Sequence, residues 1–528
     1  MRAPVPLLNR RQALQWAAAG LGGIGLGAGA QTARTARTAT PAAAAPLLIV
    51  GPWEISGLAP ANSGYMFTRM QIAETLMGAH DDGTPAPALA ERWSASPDGL
   101  TWQFQLRPAA RFHDGTPVTA AAVLPCLHRA RVAPSLLSVA PIASIEAEGA
   151  HIIAIRLLSP YAGLPSLLAH SSTMVLAPSS YNAAGQVRAV VGTGPYRATR
   201  VEPPQAVEAA VFDQYDGPRP AIARIRYLTA SRSETRALMA ESAQADLAYG
   251  LDPVSMTRLR KRGRVRLDTV TLPRTVIVKL NAGLPALRDA RVRRALSLAI
   301  DRDGIARALQ RDPGLAAGQL FPPIMAGWHD PALAPLAFDP QAAARLLTEA
   351  GWRRGADGLR DTDGQPLRLV LRTFVDRPEL PVFATALQEQ WRQAGIAVRV
   401  SIGNSGDVPL GHRDGSLELA LAARNYGTVP DPVGTLLQDF GPQGGDWGAM
   451  GWASDAVVQA LLELAQGRPD PARAARLRAQ VAAVLQAELP VIPVTWYRQQ
   501  VAVSARLRGV SLDPLERSYR LDRMEFLA

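Results

Sequence analysis

An α/β protein of two lobes is predicted, and three observations predict it. Short strand-like segments alternate with longer helical ones along most of the chain. At 528 residues the chain is long enough for two or three domains with cores of their own. An α/β mixture of that length commonly folds as two lobes with a ligand cleft between them.

The elements follow from local patterns. Thr101–Leu106 alternates polar and apolar with period two, as a half-buried strand does. Thr275–Leu280 is a continuous, largely β-branched run suited to a fully buried strand. Ser231 and Glu234 have the spacing of a capping box ahead of a helix over 235–240. Asp339 and Pro340 supply a cap and a first-turn proline for a helix that Gly351 ends. Residues 295–300 and 456–485 add helices with apolar faces. Gly192-Thr193-Gly194 runs straight into Pro195 and lacks the further glycine and lysine of a phosphate loop, so it reads as a rigid turn into a strand.

The amino terminus reads as an address. Arg10 and Arg11 precede a weakly apolar Gly/Ala stretch that ends in the small residues Ala28-Gly29-Ala30. A charged start, an apolar middle and a small-residue exit make residues 1–30 a signal peptide, of twin-arginine type, with the ordinary secretory route as the alternative. So glycine-rich a stretch is a poor membrane span, and residues 31–46 read as a flexible leader. The mature protein is expected to be soluble in the periplasm, not membrane-inserted, and monomeric.

Charge argues against nucleic acid. The net charge is +11, but the first 45 residues carry five arginines and no acid, which leaves +6 for the rest. The basic run from Arg258 to Arg266 contains no aromatic residue on which a base could stack, and it reads as a solvated turn from helix to strand. Cys126, the single cysteine, rules out an intramolecular disulfide and a multi-cysteine zinc site, and reads as a small buried side chain. Seven histidines are scattered without metal-ligand spacing, and no nucleophile elbow or zinc-protease helix is present. The expectation is a binding protein with no catalytic residue, no cofactor and no metal ligand. The rival readings are an exported hydrolase or cofactor-dependent enzyme, and a sensor or chaperone module of the same fold.

Longer motifs point to one family. Pro87 to Trp102, Leu106-Arg107-Pro108 and Phe112 to Thr119 closely resemble the signature of the family 5 extracellular solute-binding proteins, the peptide, opine and nickel receptors of ABC importers. The match departs at Ala121-Ala122, where the family carries an acidic pair. Gly192 to Tyr196, Leu280-Asn281, Val292 to Asp301, Phe338 to Pro340, Glu349 to Trp352 and Leu489 to Pro493 continue it in order. The resemblance implies a Venus-flytrap fold with an enlarged first lobe: lobe I over 47–280 and 490–528, lobe II over 281–489, and hinge crossings near 276–281 and 490–493. It implies a ligand held between the lobes, and an ABC permease with its ATPase as partners.

Candidate ligand contacts also come from the resemblance. In the family's peptide receptors an acid in the loop before Asp431-Pro432 holds the peptide amino terminus, and here Thr428 stands nearest that place. The pattern is closer to the nickel-metallophore and opine receptors, in which an arginine and an aromatic of this loop grip carboxylates and stack on the ligand. Arg424 and Tyr426 match them, with Asn425 between. A guanidinium fork suits a carboxylate because it binds both oxygens at once. Tyr65 and Met66, placed on a loop after the first strand, and Trp447, in a Gly-rich cleft loop, complete the set. The tryptophan of the nickel proteins has no equivalent between Leu127 and Ile145, and no histidine follows His412, so direct nickel ligation is not expected.

Overall fold

A ten-stranded sheet organises the computed structural model. Its strands are β1 (Leu47–Gly51), β2 (Tyr196–Glu202), β3 (Ala206–Val211), β4 (Arg224–Thr229), β5 (Leu247–Tyr249), β6 (Val265–Leu280), β7 (Arg368–Phe374), β8 (Ala397–Gly403), β9 (Leu419–Asn425) and β10 (Val491–Ser504). They lie in the order β8-β7-β9-β6-β10-β5-β1-β4-β3-β2. The structure describes residues 45–132, 135–355, 358–375, 377, 379–427, 429, 431–441, 445–467 and 469–527. The signal peptide, nearly all of the leader, and Thr428 lie outside the described residues.

The long antiparallel pair β6 and β10 joins two halves of this sheet. Val501–Val503 of β10 pair with β5, from which the sheet continues through β1, β4, β3 and β2. Arg274–Leu280 of β6 pair with β9, from which it continues through β7 and β8. Between these regions the register of the long pair shifts, from Leu272 opposite Tyr497 to Thr275 opposite Trp496. Pro273 is the local cause, because it has no N–H to give the ladder and forces a bulge. The chain passes close there: Tyr426 donates its N–H to the Pro273 carbonyl at 2.8 Å. A side chain in place of Gly427 would collide with the Pro273 ring.

A second, four-stranded antiparallel sheet is built from Ala90–Ala95, Thr101–Leu106, Ile142–Glu148 and Ile152–Leu157. Thr101–Leu106 behaves as its alternation predicts: Trp102, Phe104 and Leu106 point inward. Burying each such side chain stabilises the fold by about 1.5–3 kcal/mol. This core is continuous with that of the helices Val433–Phe440, Asp455–Gln466 and Pro471–Glu488. The Ala162 N–H donates to the Ala465 carbonyl at 2.6 Å across the same contact. The insertion after β1 therefore packs on helices that follow β9, and it bridges the two halves of the main sheet.

Most local expectations hold. Asp339 accepts from the Ala342 N–H at 2.8 Å and starts the helix Pro340–Glu349, and Gly351 follows its end with a positive φ. The run from Arg258 begins on the helix Pro253–Arg262, turns at the left-handed cap Gly263 and ends in β6 at Arg266, and Arg258 and Arg262 pair with Glu241. The Gly192–Gly194 turn lies backbone against backbone on Gln71 and Ile72, where a Cβ would not fit. The capping box at Ser231 is corrected: the helix begins at Ser233 with Arg232 as its cap residue. The Ser231 carbonyl instead accepts from the buried Arg236 guanidinium at 2.9 Å, which holds the entry to the helix.

Candidate functional site

A cavity of about 240 Å³ opens where the end of β9 meets the helix Pro60–Arg69 and the C-terminal segment around Glu516. Tyr65 and Arg69 reach it from the same face of that helix, one turn apart, and Asn425 reaches it from the end of β9. Glu516, Arg517 and His170 close other sides.

Charge is concentrated at the wall shared by Arg69 and Glu516. Arg69 donates through Nε to the Glu516 backbone carbonyl at 2.6 Å, and its Nη2 lies 3.9 Å from the Glu516 carboxylate. Arg274, which keeps its place opposite Asn425 of β9 but lies within the register shift between β6 and β10, pairs with the same carboxylate. Asn425 Nδ2 donates to Glu516 at 3.2 Å and Gln499 Nε2 at 3.1 Å. Burial would raise the Glu516 pKa, but Arg274, Arg69 and Arg377 outweigh it and hold the group below the ordinary glutamate value. Glu516 is therefore an ionised carboxylate saturated with donors.

The guanidiniums are not saturated in return. Arg69 Nη1, Arg274 Nε and Arg517 Nε are buried and have no hydrogen-bond partner among the described residues. Burial pushes Arg274 below the usual arginine pKa by more than Glu516 restores, and the like charges of Arg377 and Arg69 add to the push. Arg517 is lowered by burial as well. Two aromatic rings steady Arg69, since its guanidinium lies 4.4 Å from the Trp53 ring centre and 5.3 Å from that of Tyr65. His170 accepts at Nδ1 from the Ser172 N–H at 3.2 Å, and burial lowers its pKa to about 4, so the ring is neutral at pH 7. The whole arrangement can meet negative charge, because buried N–H donors without acceptors are costly until an anion takes them.

The residues expected from sequence divide sharply. Tyr65 and Asn425 line the cavity. Tyr65 and Met66 sit on the helix Pro60–Arg69 rather than on a loop, and Met66 points into the core with no exposure. The Arg424 fork is filled by Asp439, with Nε to Oδ2 and Nη2 to Oδ1 both at 2.6 Å, so a residue of the protein holds the place given to a ligand carboxylate. Tyr426 is fully buried against Phe321, ring centres 5.7 Å apart. Trp447 stands edge-on to Phe374, ring centres 6.1 Å apart, and is not among the residues that line this cavity. Arg69, Arg274, Glu516 and Arg517 were not foreseen. Arg69 had a signal, because it lies four residues from Tyr65, whereas the pairing of Arg69 with Glu516 spans 447 residues and had none. Among the described residues no group of three or more His, Cys, Asp or Glu side chains is placed to hold a metal ion.

Comparison with known proteins agrees with the fold. Residues 84–447 match the model of the bacterial extracellular solute-binding proteins, family 5 Middle. The nickel-binding periplasmic protein of Escherichia coli (strain K12) is 26% identical over 493 residues, covering 90% of this chain and 93% of that protein. The glutathione-binding protein GsiB of the same strain is 28% identical over 274 residues, 51% of this chain and 53% of its own length. Among solved structures, NikA from Brucella suis in complex with Fe(III)-EDTA superposes with a TM-score of 0.82 at 25% identity, over 91% of this chain and all of that one. The agropinic acid complex of AgaA from A. tumefacien R10 gives 0.78 at 20% identity, over 92% of this chain and 99% of that one. The chain belongs to the family 5 bacterial extracellular solute-binding proteins, which are solute receptors of ABC importers and not enzymes.

Proposed function

We propose that this chain is a periplasmic receptor that captures a small carboxylate-bearing solute, peptide-, opine- or metallophore-like, and presents it to an ABC permease and its ATPase. The observation that carries the reading is the surplus of buried guanidinium N–H groups on Arg69 and Arg517 at one cavity. The solved relatives holding Fe(III)-EDTA and agropinic acid lend it support, as both names denote acids or their chelates. A metal would enter inside such a chelate, its carboxylates meeting the arginines. We take the hinge to be the register shift at Leu272–Thr275, because Arg274–Leu280 pair with β9 and share its half of the sheet. Lobe II then begins near Arg274 and ends near Trp496. Closure works by differential binding, since a ligand shifts the population only as far as it prefers the closed state. Residues 1–30 are read as the export signal and the receptor as a monomer, and among the described residues no helix is long and apolar enough to cross a membrane.

Native mass spectrometry of the exported protein, followed by unfolding and identification of what is released, tests the reading. One equivalent of a carboxylate-bearing solute is expected. A released redox cofactor, or a solute carrying only positive charge, would overturn it. If the protein is purified empty, a carboxylate at 100 times its dissociation constant should add about 2.7 kcal/mol of stability in a thermal-shift panel.

A further inference from the structure

The cavity is as informative for what it lacks as for what it offers. The charge of a free primary ammonium in a buried site is compensated best by a carboxylate or the open face of an aromatic ring, since it is a compact cation with three donors. Two carboxylates line the cavity among the described residues, Glu74 and Glu516. Glu74 is held by both terminal nitrogens of Arg107, at 3.0 and 3.2 Å. Glu516 takes Arg274, Asn425 and Gln499, with Arg69 beside it. Asp513, just behind, accepts the N–H groups of Leu515, Arg517 and Ser518 at 2.9 to 3.1 Å. The aromatic faces are engaged too: Tyr65 lies under Arg69, and Tyr215 lies 5.9 Å from the Arg107 guanidinium. Each of these carboxylates already carries a guanidinium or a set of N–H donors, and each of the two tyrosine rings lies against a guanidinium, while Arg69 and Arg517 keep N–H groups to spare.

Resting on the carboxylate reading above, we propose that the cavity selects acids without a free primary amine: Arg69 and Arg517 form the carboxylate subsite, and Glu516 is a sealed internal counter-ion, not a receptor for a ligand's ammonium. Acids whose nitrogen is acylated, N-alkylated or bound to a metal belong to the favoured class, and peptides with a free amino terminus do not. The specificity is thereby set by the arginines, which repel further positive charge, and by the carboxylate that holds them in place and whose acceptors they and the amide donors already fill.

The test titrates the mature chain with twins that differ in the amine: succinate and L-aspartate, glutarate and L-glutamate, N-acetyl-trialanine and trialanine. In each pair that gives heat, the amine-free member is expected to bind at least tenfold tighter, and equal or tighter binding of the amine-bearing twin would overturn the inference. Glu516→Gln adds a test of sign. It keeps an acceptor for Asn425 and Arg274 but removes the negative charge, so affinity for the acid should rise, several-fold or more. A fall in a variant that still melts cooperatively, or no change, would show Glu516 to be contacting a cationic group or to be irrelevant. If no twin binds, the solute released from the native protein decides: a free primary amine on it overturns the inference. A native protein that releases nothing, and that no carboxylate stabilises, overturns the carboxylate reading beneath it.

Discussion

Two buried arginine clusters flank the junction of β6 and β9, and they differ in how many N–H groups are left over. Arg424 meets Asp439 in a two-point fork, and Asp439 is only 1% exposed. Burial pulls the Arg424 pKa down, but Asp439 outweighs it and raises the group, so that pair is closed on itself. Across the junction, Arg69 and Arg274 share Glu516 with Arg377 nearby, and N–H groups of Arg69, Arg274 and Arg517 stay unpaired among the described residues. A buried arginine is thus weak evidence of a binding site. An excess of donors over acceptors beside a cavity is stronger, because an anion entering the cavity can take them, as it cannot at nitrogens away from it, such as Arg258 Nε, that also lack a hydrogen-bond partner among the described residues.

The comparison can be broken most forcefully at its closed side. Asp439→Ala leaves the Arg424 charge buried without a partner, and should cost about 3–5 kcal/mol of stability in chemical denaturation. A ligand-affinity loss in a variant of unchanged stability would instead move the site to this side. On the open side, Arg517→Ala should weaken the solute by about 2 kcal/mol, near 30-fold, in calorimetric titration. Its stability should fall by only about 1 kcal/mol, since its Nη2 gives one hydrogen bond, to the Ala79 carbonyl at 2.9 Å, while its Nε has no partner to lose among the described residues.

Lys279 sharpens the contrast through pH. It is buried beside the closed pair and donates to the Asp446 carbonyl at 2.7 Å. Burial lowers its pKa from 10.5 to about 7, Asp439 and Asp446 restoring only part. The unfolded chain therefore holds that proton more tightly than the folded one. Stability should rise with pH between about 7 and 10.5, by at most about 1.4 kcal/mol per unit, with the full burial penalty present below that window. In Lys279→Met this part of the rise should vanish from the difference between the two denaturation curves. The smallest effect is expected at Trp447→Ala, which loses its contact with Phe374 and about 1–2 kcal/mol of stability while solute affinity stays the same.

The fold was legible because its signals are local. Period-two alternation at Thr101–Leu106, the β-branched run at Thr275–Leu280 and the Asp339 cap each act within a few residues. The chemistry-bearing groups were half legible. Helical rather than loop geometry for residues 60–69 would have placed Arg69 one turn below Tyr65 and turned Met66 toward the core. A charged residue within a buried strand, as at Arg274 and Lys279, was a further sign that internal partners exist. Nothing in the sequence near Arg424 announces Asp439, 15 residues on, because the fork forms only when the helix Val433–Phe440 packs back on β9. The contacts of Glu516 span 17 to 447 residues and exist only in the folded chain.

The most direct test of the central claim is calorimetric titration of Arg69→Ala with the solute released from the native protein. The account predicts a loss of at least about 2 kcal/mol, a dissociation constant raised some 30-fold or more, in a protein that still melts cooperatively. A dissociation constant equal to that of the parent protein would contradict it, and would remove the ligand from this cavity.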